Sequence, residues 1–189
     1  RPLVTQQQAK IDAERLLRDR QLSPRADQTI EMLATAGVLT GSQIKQVTAL
    51  QLRALQKYHS RHLVDRVSLD IEKILDMHLA DPSTPLEDLR AYTLGLIGLE
   101  YARLRLGKDL LPSKYASLEV GGGGTRVLHD ITVAEIMLRL SGYAKAQKYA
   151  PLWRSKYEAT VHDENGSPAL EPDAMLSLRK DGRYWHYFV

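Results

Sequence analysis

The hydrophobic and polar positions of the first half of the chain alternate at helical spacing. From about Thr5 to Gln21, apolar residues recur every three to four positions in a polar segment, which predicts a helix with a thin apolar stripe. That stripe consists of Ala9, Ala13, Leu16 and Leu17. So narrow a stripe fits an arm (residues 1–22) packed on the rest of the protein, and it fits a dimer contact equally well.

Capping residues mark the helices that follow. The Ser23-Pro24 pair predicts a helix start, because a hydroxyl can cap the helix and proline at the first position loses no hydrogen bond. Gly37 is typical of a helix end. Thr40 and Gln43 then match a capping box, which predicts a second, short helix. A third helix covers roughly residues 49–60.

Two strand-like runs complete this half of the chain. Leu63–Val67 follows the third helix directly, and Arg90–Leu94 is a candidate hairpin partner for it. Helix, short helix, helix, strand, loop and strand is the order of a winged helix-turn-helix domain. We therefore expect such a domain over residues 23–108, closed by a helix from Gly95 to Leu106.

Helical spacing divides the third helix into an apolar face and a basic face. Leu52, Leu55 and His59 cluster on one side at about 100° per residue. The other side carries cations four residues apart, and such a face can neutralise phosphates and reach base edges in the major groove. A solvated basic face is the alternative interpretation. The predicted DNA-binding residues are Arg53, Lys57, Arg61, Tyr58, Gln43 and Lys45.

The charges of the chain favour the same half. The 189 residues carry a net charge of +3; residues 1–67 hold 11 Lys+Arg against 6 Asp+Glu, whereas the remainder holds 15 basic and 17 acidic residues. A polyanion is therefore expected to meet the first half. The loop expected to form the wing is acidic, so it is a poor phosphate binder and better suited to contact a protein. Its acidic residues are Asp70, Glu72, Asp76, Asp81, Glu87 and Asp88.

Composition excludes several classes of site. The chain has no cysteine, which excludes disulfides, thiolate metal sites and a cysteine nucleophile and fits a cytoplasmic protein. No run of about 18 apolar residues occurs, so we expect no membrane-spanning segment. No basic–apolar–small signal peptide opens the chain either.

The second half predicts a smaller α+β layer behind a flexible connection. Gly121–Gly124 suit a linker over residues 109–128, since no Lys-Ser/Thr follows them as a phosphate cradle requires. Thr132 and Glu135 match a capping box and predict a helix start. Two strands are expected at residues 174–178 and 184–189. The expected buried stripe is Val133, Ile136, Met137 and Leu140, and the expected core aromatics are Trp153 and Tyr157.

Short motifs in both halves point to a known family. In the first half they are Ser23-Pro24-Arg25, Leu39-Thr40, Gln43, Leu63-Val64-Asp65-Arg66 and Tyr92-Thr93-Leu94-Gly95. In the second half they are His129-Asp130-Ile131-Thr132-Val133-Ala134-Glu135 and Pro172-Asp173-Ala174-Met175-Leu176. With these motifs, residues 23–189 resemble the replication-relaxation family of bacterial plasmids and mobile elements. The resemblance implies a mostly helical α+β protein: a winged helix domain, then a partial α/β domain (residues 129–189) similar to PD-(D/E)xK nucleases.

A nuclease of that kind would need Mg²⁺ held by clustered carboxylates against the scissile phosphate. Glu135 and Asp173 are the two candidate catalytic carboxylates, although a capping role for Glu135 and a turn role for Asp173 are the alternatives. His129 is expected to be a local hydrogen-bond partner. The sequence departs from the nuclease pattern in residues 184–189, which contain no Glu-x-Lys. Either the missing acid and lysine lie past Val189 in a truncated domain, or the domain is nuclease-like in shape only.

Three functions remain open at this point. The first is binding of double-stranded DNA, in plasmid or mobile-element replication or transfer, by a cytoplasmic protein that is a candidate homodimer and a candidate partner of replication or transfer proteins. The second is a Mg²⁺-dependent DNA nuclease whose winged helix positions the substrate; no other cofactor is expected. The third is a winged helix used for protein assembly.

Overall fold

The computed structural model describes residues 3–67, 83, 89–107, 110 and 124–189, which fall into two units, Arg1–Leu128 and His129–Val189. Helices and small antiparallel sheets make up both units, so the expected α+β class is confirmed. The acidic residues of the predicted wing and Gly121–Gly123 lie outside the described residues. None of the helices that the structure describes is long and apolar enough to cross a lipid bilayer.

Local capping chemistry sets the first two helices. α1 (Gln6–Arg18) begins at Thr5, whose hydroxyl accepts a hydrogen bond from a backbone amide in the first turn. α2 (Pro24–Ala36) begins at Ser23 in the same way. It ends at Gly37, which adopts a positive φ of 77° that glycine tolerates best. The start and the end of α2 both match the sequence prediction.

Two short helices and a three-stranded sheet follow in alternation. In chain order they are β1 (Leu39–Thr40), α3 (Gly41–Thr48), α4 (Leu52–Ser60), β2 (Val64–Val67) and β3 (Ala91–Leu94). The sheet is antiparallel with the strand order β1-β3-β2, and every residue of the central strand β3 is buried. The sequence prediction lacks β1, because two residues are too few to show the alternation that marks a strand.

The next helix, α5 (Leu96–Leu106), lies against the backbone that links α4 to β2. The amides of Ile97 and Gly98 donate to the carbonyl oxygen of His62 at 3.0 and 3.3 Å. A Cβ atom on Gly98 would lie only 1.9 Å from the carbonyl oxygen of Leu63. The close approach of two backbones therefore requires glycine at this position.

α5 also holds the first two helices. α1 packs on α5, and its buried side chains include Ala9, Ala13 and Leu16. This contact agrees with the prediction that the first helix is an arm packed on the rest of the protein. The buried Tyr101 of α5 donates its hydroxyl hydrogen to the carboxylate of Asp27 on α2. Burial raises the pKa of Tyr101 above its ordinary value of 10.0, and the Asp27 carboxylate raises it further.

The second unit alternates helix and strand. α6 (Gly124–Ala146) leads into β4 (Ala150–Ser155) and the short α7 (Lys156–Ala159). The division between the two units falls within α6. β5 (Val161–His162) and β6 (Pro168–Leu170) pair with each other in a separate two-stranded sheet.

The main sheet of the second unit packs one face on α6. Its central strand is β7 (Ala174–Lys180), which pairs antiparallel with β4 on one side and with β8 (Arg183–Phe188) on the other. β7 and β8 match the two predicted strands, whereas β4 is missing from the sequence prediction. The core of this unit contains Met137, Ala174 and Leu176, with Val133, Trp153, Leu178 and Val189 packed against it.

The predicted start of the second-half helix is wrong. α6 already includes residues 124–131, so Thr132 and Glu135 are interior positions and form no capping box there. The predicted linker therefore cannot extend to residue 128. Glu135 instead pairs with Arg139 one turn further on, with 2.7 Å between Oε1 and Nε. A glutamate can complete a capping box or form an ion pair inside a helix. Here the residues before Thr132 continue the helix, so Glu135 forms the ion pair.

The predicted apolar stripe of this helix is correct for two of its four positions. Val133 and Met137 pack in the core. Ile136 and Leu140 are 40% and 41% exposed, so they lie to the side of the contact with the sheet. The buried side of α6 includes Ile131, Ala134 and Leu138 instead, so the predicted stripe is displaced around the helix.

Candidate nucleic-acid interface

α4 has one buried side and one exposed polar side. Leu55 is 1% exposed and anchors the helix in the core, with Leu52 and His59 half-buried beside it. At about 100° per residue, the exposed side chains of the helix fall within a sector of roughly 100°. They are Arg53, Gln56, Lys57 and Ser60, and Arg61 is exposed at the C-cap. We call these five residues the α4 face.

The charge of the α4 face is positive and uncompensated by nearby acidic residues in the sequence. Between Glu31 and Asp65 the chain contains no Asp or Glu. The same segment holds four basic residues, of which three belong to the α4 face; the fourth, Lys45, is exposed on α3. Neither helix carries an opposite charge, and exposed cations grouped in this way are suited to contact phosphates.

Gln56 and Ser60 were missed as candidates by the sequence analysis. Both are exposed between or beside the cations of the α4 face. Gln can make a bidentate contact to adenine, whereas the Ser60 hydroxyl donates to the carbonyl oxygen of Lys57 and leaves its oxygen to accept from a partner. Helical spacing places both on the basic side, so that spacing was the signal that could have found them.

Tyr58 lies just beyond the edge of the predicted basic face. It is half-buried, and five residues of helix separate it from Arg53 by about 140°. Its side chain lines a groove of about 560 Å³ together with Ala54, the α3–α4 turn at Leu50 and the start of α2 at Arg25. Tyr58 therefore belongs to this groove and not to the α4 face.

The sequence predicts that Gln43 contacts DNA, and its buried position excludes this. It is 4% exposed, and its Oε1 accepts a hydrogen bond from the backbone amide of Thr40 at 2.9 Å. The hydroxyl of Thr40 in turn accepts from the backbone amide of Gln43 at 3.2 Å, which completes the predicted capping box. A buried side chain with this role cannot reach a partner, so its contribution is to fix the start of α3.

Hydrogen bonds fix the chain before and after α4. At the turn between α3 and α4, the hydroxyl of Thr29 on α2 lies 3.2 Å from the hydroxyl of Thr48. Ala49 follows in the left-handed region with φ 54° and lets the chain change direction. After α4, the carbonyl oxygen of His62 receives the two amides of α5 described above. These contacts hold α4 in one orientation relative to the rest of the unit.

The two candidate nuclease carboxylates have separate partners in the second unit. An oxygen of Asp173 lies 3.1 Å from Nε2 of His129, which the sequence analysis expected to be a local hydrogen-bond partner. Glu135 pairs with Arg139. Within the described part of the chain, no three His, Cys, Asp or Glu side chains are close enough to hold a metal ion together. These residues do not fit a Mg²⁺ site, which needs several oxygen ligands, and we derive no reaction step from them.

Comparisons with known proteins find no relative of this chain. No protein-family model matches the chain. No curated protein and no solved structure matches it either. The features of the chain that bear on function are therefore its own residues, and foremost the cations of α4.

Proposed function

We propose that residues 23–107 form a winged helix-turn-helix module that binds double-stranded DNA with α4 in the major groove. The order of elements from α2 to β3 supports this proposal, as does the antiparallel strand order β1-β3-β2. In modules of this type the second helix of the helix-turn-helix is the one that enters the groove. Here that helix is α4.

The observation that carries the proposal is the α4 face. Arg53, Lys57 and Arg61 are exposed there, and the helix contains no acidic residue. The buried Leu55 on the opposite side leaves these cations free to approach a duplex as a rigid group. Lys and Arg that neutralise phosphates release counterions from DNA, and Arg can in addition form a bidentate contact with guanine.

The test is duplex binding by the full chain and by the triple variant Arg53→Ala/Lys57→Ala/Arg61→Ala, measured by fluorescence anisotropy over a series of salt concentrations. Each lost phosphate contact lowers the slope of log K against log salt by about 0.9. We therefore expect a weaker slope in the variant and an affinity roughly tenfold lower or more at low salt. Alanine has the highest helix propensity, so the variant should keep α4 folded.

A matched control removes the same charge from another helix of the same unit. Lys10, Arg15 and Arg18 are exposed on α1, and their replacement by alanine lowers the net charge equally. Under the proposal this control keeps most of the affinity and nearly all of the salt dependence. Equal losses in the two triple variants would mean that overall charge drives binding and that α4 has no special part. Absence of duplex binding by the unmodified chain would favour protein assembly as the role of the module.

The biological setting that we propose with this activity is replication or transfer of a plasmid or mobile element. It is supported by the resemblance of the short motifs at residues 23–189 to the replication-relaxation family. A homodimer would place two copies of α4 on successive turns of the duplex, about 34–36 Å apart. Sedimentation of the chain with and without a palindromic duplex distinguishes one bound copy from two.

A further inference from the structure

The main sheet of the second unit has a second face that does not pack on α6. Side chains alternate between the two faces of a strand, and directly paired residues of neighbouring strands share a face. Trp153, Leu176 and Leu178 point to α6, as their place in the core shows. Their neighbours along each strand therefore form the opposite face. The large residues of this outer sheet face are Leu152, Arg154, Met175, Arg179, Tyr184, His186 and Phe188.

The outer sheet face is apolar and aromatic, and it is open along its two outer strands, whereas Met175 and Ser177 of the central strand are 7% and 6% exposed. Tyr184 is 62% exposed, Leu152 54% and Phe188 49%. The remaining large residues, Arg154, Arg179 and His186, are also exposed. Large apolar side chains grouped on one exposed surface indicate a binding site more often than scattered ones do.

The charge of the outer sheet face has one sign. β4, β7 and β8 contain no Asp or Glu, so the charged side chains of this face are Arg154 and Arg179. His186 lies between Tyr184 and Phe188 along β8, and its Nδ1 is 2.8 Å from Oγ of Ser177. That hydrogen bond orients the imidazole ring within the row of aromatic residues. Two arginines among flat rings are complementary to a partner that is negatively charged and also presents ring faces.

We propose that the outer sheet face binds single-stranded nucleic acid, with bases stacked on Tyr184 and Phe188 and phosphates held by Arg154 and Arg179. In single strands every base has an accessible ring face, and aromatic side chains stack on it with little dependence on sequence. A duplex keeps its bases stacked on one another and cannot offer these faces. A second copy of the same face would bring four arginines together without a carboxylate, so this surface is poorly suited to self-association.

The spacing of the rings sets the form of the bound strand. Residues two apart on one strand are separated by about 6.6 Å, because a strand rises about 3.3 Å per residue. That is twice the roughly 3.4 Å that separates stacked bases along one strand of a duplex. Tyr184, His186 and Phe188 thus alternate along β8 at a spacing that suits an extended strand with its bases unstacked.

The experiment measures binding of fluorescein-labelled oligo(dT) and oligo(rU), each about 12 nucleotides long, to the full chain. The background carries Arg53→Ala/Lys57→Ala/Arg61→Ala, so that the α4 face contributes nothing and failure of duplex binding does not affect the outcome. We expect Tyr184→Ala to weaken binding roughly 5- to 150-fold, the range that corresponds to losing one base–aromatic stack. Tyr184→Phe keeps the ring and should keep the affinity.

Two residues of the same strand serve as matched controls. Tyr187 is 51% exposed and alternates with Tyr184, so its side chain is on the other face of β8. Arg183 is likewise exposed and on the face opposite to Arg179. Under the proposal Tyr187→Ala and Arg183→Ala bind almost as the background does, whereas Arg154→Ala binds more weakly.

Three results would overturn the proposal. The first is no measurable binding of either oligonucleotide at low salt. The second is an equal effect of Tyr184→Ala and Tyr187→Ala. The third is a change of sedimenting mass in Tyr184→Ala without a change of oligonucleotide affinity, which would assign the face to a second copy of the chain. Tryptophan fluorescence of Trp153 and Trp185 verifies that each variant remains folded, because both belong to this unit.

Discussion

The substitution Gly98→Ala sets two physical effects against each other. In an exposed helix, alanine is more stable than glycine by about 1 kcal/mol. At Gly98 of α5, however, the added methyl group would lie 1.9 Å from the carbonyl oxygen and 2.9 Å from the carbonyl carbon of Leu63. Ordinary contact begins near 3.4 Å, so α5 would have to move by about 1.5 Å from the backbone of Leu63. The obstacle is backbone, which no side-chain rotation can relieve.

The cost of that movement exceeds the gain in helix propensity. Overpacking a core costs about 1–3 kcal/mol where side chains can adjust, and more where they cannot. A shift of α5 also weakens the two hydrogen bonds from Ile97 and Gly98 to His62. We therefore expect Gly98→Ala to lower the free energy of unfolding of the first unit by about 3 kcal/mol or more. Such a loss lowers the melting temperature by about 10 °C.

The assay is urea denaturation followed by far-UV circular dichroism, with tryptophan fluorescence as a separate probe of residues 129–189. Gly142 provides the control, because it lies inside α6 and no atom would come within 4 Å of an added Cβ. Gly142→Ala should stabilise its unit by about 0.5–1 kcal/mol. If Gly98→Ala also stabilises the protein or leaves it unchanged, the close approach of α5 to Leu63 is wrong.

Three further predictions concern the first unit. Tyr101→Phe should cost about 1.5–3 kcal/mol at pH 8, because it removes a hydrogen bond to a carboxylate. Because the pKa of Tyr101 is raised in the folded state, its contribution to stability is complete below pH 10.0 and is lost as the pH rises further. Urea titrations should therefore show a steeper loss of stability above that pH in the unmodified chain than in Tyr101→Phe. Gln43→Ala should lower the free energy of unfolding by about 1–2 kcal/mol, because it removes the capping box. Gln46→Ala, on the exposed side of α3, is the control and should leave the stability unchanged. Equal melting temperatures of the two variants would contradict the buried capping box. Ala49→Gly should raise the free energy of unfolding by up to about 1 kcal/mol, because Ala49 has a φ of 54°. Ala54→Gly inside α4 should lower it by a similar amount. A loss of stability at both positions would refute the left-handed turn.

The parts of this fold that could be predicted from sequence depend on neighbours within one helical turn. Ser23, Gly37 and the Thr40–Gln43 pair act through hydrogen bonds or dihedral angles in their own segment, so the residue types suffice to identify them. The division of α4 into a buried side at Leu55 and an exposed basic side follows from its period in the same way.

Other features depend on what each segment packs against. Thr132 and Glu135 match a cap by type, but the residues before them continue the helix. Tyr58 borders the basic side on a helical wheel, and only the position of α2 decides that it lines a groove. The residue types of β4 do not alternate between apolar and polar, although their exposure does, and the pairing of β4 with β7 is a long-range contact. The outer sheet face could not be derived without that register, since the register determines which side chains share a face.

The anchoring of α4 at both ends has a consequence for the entropy of association. The Thr29–Thr48 contact and the amides of α5 already fix its orientation, so the duplex binding that we propose requires no helix to form. The ordering cost is then confined to the long side chains of Arg53, Lys57 and Arg61, at about 0.5–1.5 kcal/mol for each one that is immobilised. Encounter with DNA should consequently be limited by diffusion and ionic screening, and its rate should depend on salt far more than on temperature-sensitive folding steps.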